Sequence, residues 1–140
     1  MKLKNVPLLI FLFTAFLFTS CAKKMRFETS REVPAAEGAV KVKKDNNNNY
    51  KVSLKIIRLS PAERLSPPRN TYVVWMDTDL NGTINIGNIE TSKGLFSKKL
   101  KSSLETVTPY KPVRFFITAE NEKRIEYPGT QTVLRTRYYN

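Results

Sequence analysis

The chain has 140 residues with one cysteine and no histidine, and 24 Lys and Arg against 12 Asp and Glu give it a net charge of +12. Without histidine the commonest general base and the commonest transition-metal ligand are both gone, so Ser-His-Asp and Cys-His catalysis are excluded and structural zinc has no support. A basic balance points first to nucleic acid, a partner that the N-terminus then removes.

Residues 1–20 have the three parts of an export signal. Lys2 and Lys4 precede an uncharged apolar run at residues 6–18, and small or hydroxyl residues follow in Leu17-Phe18-Thr19-Ser20-Cys21. An apolar residue three places before the cysteine and a small one just before it fit a lipobox. There the thiol reaches a lipid donor at the membrane face and a peptidase cuts beside a small side chain. The run is short for a transmembrane helix, which needs roughly 20 apolar residues. Cys21, the only cysteine, is therefore expected to become the acylated N-terminus of a lipoprotein, because two or more acyl chains such as palmitate anchor stably where one is marginal.

Removing the first 20 of 140 residues leaves 120, enough for one domain, and setting Lys2 and Lys4 aside lowers the net charge from +12 to +10. With Cys21 acylated there is no disulfide, so the fold must rest on packing alone in an oxidising compartment. Ala22-Lys23-Lys24 lacks the acidic residues of some surface-displayed lipoproteins. The expected place is the outer membrane, facing the periplasm. There nucleic acid is no partner, and an envelope protein, anionic glycan or anionic lipid takes its place.

Residues 21–37 read as the lipidated cysteine and a polar tether, with residues 25–29 as an optional short edge strand. From residue 38 to 140 the pattern is a β-domain. Residues 39–43 alternate, and the Asp-Asn run at 45–49 is a turn. Tyr50, Val52, Leu54 and Ile56 then alternate with Lys51, Ser53 and Lys55, which is a half-buried strand. Three prolines make residues 60–70 a loop. Residues 71–76 are β-branched and aromatic on both faces, which marks a central strand. Residues 77–82 turn the chain and 83–89 return it. Residues 95–101 and 104–107 give weaker signals. Val113, Phe115 and Ile117 alternate with Arg114, Phe116 and Thr118, and after corners at 121–124 and 128–129 a last strand spans 131–137. About seven short strands divided by Pro, Gly and Asn predict an all-β sandwich. The expected inner face is Val52, Leu54, Ile56, Val73, Trp75, Ile84, Ile86, Phe115, Ile117 and Leu134.

Tyr72-Val73-Val74-Trp75 and Ile117-Thr118-Ala119-Glu120, with the turn at 79–82, Gly87, Pro128-Gly129 and Val133-Leu134, form an ordered set over residues 38–137. It resembles the extracytoplasmic C-terminal domain of anti-sigma-K factors. That resemblance implies an immunoglobulin-like β-sandwich. It does not imply anti-sigma activity, which in that family resides in a cytoplasmic segment beyond a transmembrane helix, and this chain shows neither.

Asp77-x-Asp79-x-Asn81-Gly82 matches the opening of an EF-hand calcium loop, where alternating oxygen ligands surround a sharp Gly turn. The twelfth place is Asn88 instead of Glu, and strands flank the loop, so a plain hairpin turn accounts for the same residues. No other cofactor is implied. Glu120, Glu122 and Glu126 have no spacing that sets two carboxylates across a cleft. No nucleophile–base pair is in view, and no enzymatic activity is expected. Lys98, Lys99 and Lys101 could contact anions or guard an edge strand, and Arg135 and Arg137, beside Tyr138 and Tyr139, form a second candidate contact. The expected function is a membrane-anchored envelope lipoprotein with a non-catalytic binding or structural domain. The alternatives are an accessory subunit of an envelope-sensing, anti-sigma-type system and a calcium-stabilised envelope module.

Overall fold

Strict alternation at residues 50–57 builds strand β3 (Tyr50–Ile57), whose Val52, Leu54 and Ile56 are fully buried while Lys51 and Lys55 face solvent. The structure, a computed structural model, describes residues 22–93 and 99–139, so Cys21 and Lys98 lie outside the described residues. Around β3 run β1 (Lys23–Arg26), β2 (Glu37–Lys44), β4 (Thr71–Thr78), β5 (Thr83–Ile89), β6 (Ser92–Lys93), β7 (Leu100–Thr108), β8 (Pro112–Glu120) and β9 (Thr132–Arg135). A single 3-10 turn at Ala62–Arg64 interrupts the β3–β4 connection.

The strands form two antiparallel sheets, ordered β1-β2-β3-β7-β6 and β5-β4-β8-β9. Without β1, this is the A-B-E-D against C′-C-F-G arrangement of an immunoglobulin-like sandwich. The all-β sandwich expectation therefore holds. The strand count is nine among the described residues instead of about seven. The extra strands are β1, drawn from the segment expected to be tether, and the two-residue β6. β1 was obscured because its side chains are charged, as suits an edge strand. Residues 100–108, expected to be weak, form one continuous nine-residue strand paired along all of β3.

Val40, Val52, Leu54 and Ile56 of the first sheet meet Tyr72, Val74, Met76, Phe115, Ile117 and Leu134 of the second. Each such side chain contributes about 1.5–3 kcal/mol on burial. Among the described residues the core is assembled from residues 25–134. On one side the sheets are joined where Phe27 bridges Thr136 and the Glu28 N–H donates to the Arg135 carbonyl.

Two expectations about the inner face fail. Val73 and Trp75 are fully buried, but neither belongs to the core between the sheets, which takes Tyr72, Val74 and Met76 from the same strand. Both faces of β4 are apolar, so period-two alternation could not say which one faces the other sheet. The outer face is covered by the segment after β8. Asn85, directly opposite Trp75, donates to the carbonyls of Lys123 and Ile125 and draws that segment across the sheet.

Close approach fixes Gly38 on β2. A Cβ there would lie 2.6 Å from the Lys55 carbonyl oxygen and 2.9 Å from Ile56 Cγ1. Backbone cannot yield as a flexible side chain can, so Gly38→Ala is expected to destabilise the domain by about 1–3 kcal/mol. Urea unfolding checks this, and an unchanged midpoint would show that β2 and β3 separate freely at this point.

Candidate functional site

The outer face of the first sheet is lined with cations. Register sets Lys24 and Arg26 of β1, Lys41 and Lys43 of β2, Lys51 and Lys55 of β3 and Lys101 of β7 on the side away from the core. All seven are exposed, and none enters an ion pair within 4.0 Å among the described residues. Acidic side chains on this face are Glu37, held by Arg58, and Glu105, which accepts from Ser53, and Glu28, paired with Arg137, lines its groove. Lys43 stands directly opposite Lys51, and Lys24 opposite Lys41. Like charges in direct register are unfavourable by some tenths of a kcal/mol. A groove of about 720 Å³ runs along the β1–β3 part of this face, lined by Lys24, Arg26, Lys41 and Lys55 among others.

Of the basic residues singled out in the sequence, Lys101 belongs to that face, and Lys98 lies outside the described residues. Lys99 is exposed just before β7. Arg135 and Arg137 lie at the β9 edge of the second sheet, across the molecule from β6 and β7, and Arg137 Nε donates to Glu28 Oε1 at 3.1 Å. The four described candidates therefore do not form one patch. Sequence reasoning missed Lys41, Lys43, Lys51 and Lys55, although their alternate spacing on two strands was visible. What was not visible was the pairing that brings the rows together.

The second sheet carries a different column on its outer side. Trp75 Nε1 donates to Thr118 Oγ1 at 2.8 Å, and its ring stacks with that of Phe116 at 6.3 Å and 16°. Next in line, Arg114 lies 5.4 Å from the Phe116 ring and 4.3 Å from the Tyr138 ring. These contacts are satisfied internally, and the column reads as structural support.

The Asp77–Gly82 turn is held by its own contacts. Asp77 Oδ2 accepts from Arg114 at 2.6 and 2.7 Å while Oδ1 accepts from Thr83 at 2.6 Å. Asp79 faces a different cation, Lys111, at 4.0 Å. Asn81 presents its N–H to Thr78 Oγ1, and Gly82 adopts φ +69°, which a Cβ would disfavour. Both oxygens of Asp77 are thus engaged by protein groups. Among the described residues no three His, Cys, Asp or Glu side chains gather as a metal site.

Glu120 accepts from the Gly129 N–H at 2.7 Å and so fastens the Pro-Gly corner, while Glu122 and Glu126 are exposed. The Lys123 ammonium, bonded to Glu90, holds that carboxyl below its usual range. Burial, with the Glu63 charge adding, pushes the Tyr72 hydroxyl well above its usual range. It remains a donor to the Ser60 carbonyl at 2.7 Å. No helix among the described residues is long and apolar enough to cross a membrane. Comparison with known proteins adds no relative: no family model, curated protein or solved structure matches this chain.

Proposed function

We propose that the chain is an exported lipoprotein, anchored through acylated Cys21 to a cell-envelope membrane, most naturally the periplasmic side of the outer membrane. Its sandwich is a non-catalytic binding domain for an anionic envelope polymer. The observation that carries the binding reading is the lysine-rich outer face of the β1-β2-β3-β7 sheet. Solubility alone needs mixed charges. It does not need rows of cations facing each other across strands at a cost in stability. An acidic glycan laid along the groove would relieve that repulsion at several points together. The anchoring reading is supported by the charged, apolar and small-residue order of residues 1–21.

The test is binding of the purified domain to a soluble acidic polysaccharide such as polygalacturonate. Binding is expected to weaken steeply with salt. The double reversal K41E/K55E is expected to weaken it by about tenfold or more, on the basis of ~1 kcal/mol per basic residue at an anionic surface. Equal binding by the variant would remove this face from the reading.

A further inference from the structure

Lys23 opens β1, so Cys21 stands only two residues from a paired strand. At 3.8 Å between successive Cα atoms, the acylated residue is held within about 8 Å of the sandwich. The end from which it emerges therefore meets the membrane surface, instead of standing off on a 17-residue tether. Register identifies that end: Lys23 pairs with Val42, Lys44 with Tyr50, Tyr50 with Thr108, and Thr78 with Pro112.

Three observations at this end point to lipid. Four of the five exposed large hydrophobic residues among the described residues lie here: Leu80 (88 % exposed), Tyr138 (62 %), Val107 (59 %) and Tyr110 (40 %). Aliphatic and tyrosine side chains of this kind suit the boundary between head groups and acyl chains. Between the two sheets a cleft of about 280 Å³ opens at the same end, with Met25, Val42, Tyr50, Pro112 and Tyr139 beside the lysines Lys23, Lys44 and Lys111. Lys23 is stacked over the Tyr139 ring at 4.0 Å, and the buried Tyr139 hydroxyl has no hydrogen-bond partner among the described residues. A buried hydroxyl normally has one.

We infer that the tethered end of the sandwich is a membrane seat whose cleft takes an anionic phospholipid. The lysines meet its phosphate, the Tyr139 hydroxyl donates to it or to the adjoining ester, and the apolar walls cover the first methylenes. Asp45 and Asp79 also lie at this end. Asp45 accepts from the N–H groups of Asn47 and Asn49, and Asp79 faces Lys111. Lys24, Lys43 and Lys51 border the end and keep its field positive. The inference rests on the lipoprotein reading for which membrane is met, and its test does not depend on acylation.

The test uses residues 21–140 carrying C21S, which keep every described core residue from 25 to 134, in flotation with phosphatidylcholine vesicles that do or do not contain roughly one-third phosphatidylglycerol. Binding is expected only with the anionic lipid. K44E/K111E and, separately, L80S/Y110S are each expected to weaken it by about tenfold or more. R64E/R124E, the same charge change away from this end, is expected to leave it unchanged, with melting temperatures confirming that every variant is folded. Equal binding to neutral vesicles, or no binding to either, overturns the inference. So does a loss caused by K41E/K55E but not by the end variants, which would move lipid to the sheet face. Failure of Cys21 acylation in cells would overturn the lipoprotein reading and leave the vesicle result standing.

Discussion

Replacing Trp75 with alanine is expected to destabilise the domain by about 3–5 kcal/mol, a large share of the roughly 5–15 kcal/mol that holds a domain of this size. The side chain is fully buried, stacks on Phe116 and donates to the buried Thr118 hydroxyl. Alanine leaves a cavity under the segment that Asn85 draws across the sheet, and it orphans Thr118 Oγ1. Trp75→Phe should retain much of the packing and lose the hydrogen bond, at about 1–3 kcal/mol. Urea unfolding orders the two. Trp75 is the single tryptophan, so its emission in the wild type should be blue-shifted and should move red on unfolding. Equal midpoints for wild type and Trp75→Ala would mean that the outer layer contributes nothing.

Cys21→Ser is expected to abolish acylation of the protein in cells. The sulfur is the only group at that position that can take the lipid, and it belongs to the single cysteine. Labelling of cells with a radioactive fatty acid should mark wild type and leave the variant unmarked. The variant would also retain residues 1–20, because the peptidase that cuts before the cysteine acts on the lipidated form, and the apolar run at residues 6–18 would then hold it on the membrane without an acyl chain. Equal label in both proteins would contradict the lipoprotein reading.

Much of the fold was legible because burial on one side leaves a period-two signature. β3 and β8 could be read residue by residue, and the Pro, Gly and Asn breaks located the corners. β4 was legible as a doubly covered strand, but its two apolar faces hid the assignment of Trp75. What covers Trp75 is a loop some 50 residues further along the chain, with no periodicity to announce it. The lysine face was legible strand by strand and not as a surface. Lys51 and Lys55 gain their neighbours through β2 and β7, and no local rule gives the order of strands in a sheet. The Asp77–Gly82 turn shows the opposite difficulty, since oxygen-rich side chains and glycine serve both a calcium loop and a tight turn. Its first carboxylate is engaged by Arg114, a partner more than 30 residues away that local spacing could not show.

β1 connects these features. Read as tether, residues 22–36 separate membrane and domain. Paired as Lys23–Arg26 against β2, they bring the sandwich end to the membrane and leave the lysine face extending away from it along the first sheet. One end then meets lipid, while the face remains open to a polymer beside the membrane. That placement in the cell follows from processing at Cys21. The intact mass of the protein recovered from cell membranes tests that directly. The expected chain begins at Cys21 and carries added mass for a diacylglyceryl group, with or without a further N-acyl chain. A chain still carrying residues 1–20, one that begins elsewhere, or an unmodified Cys21 would contradict it.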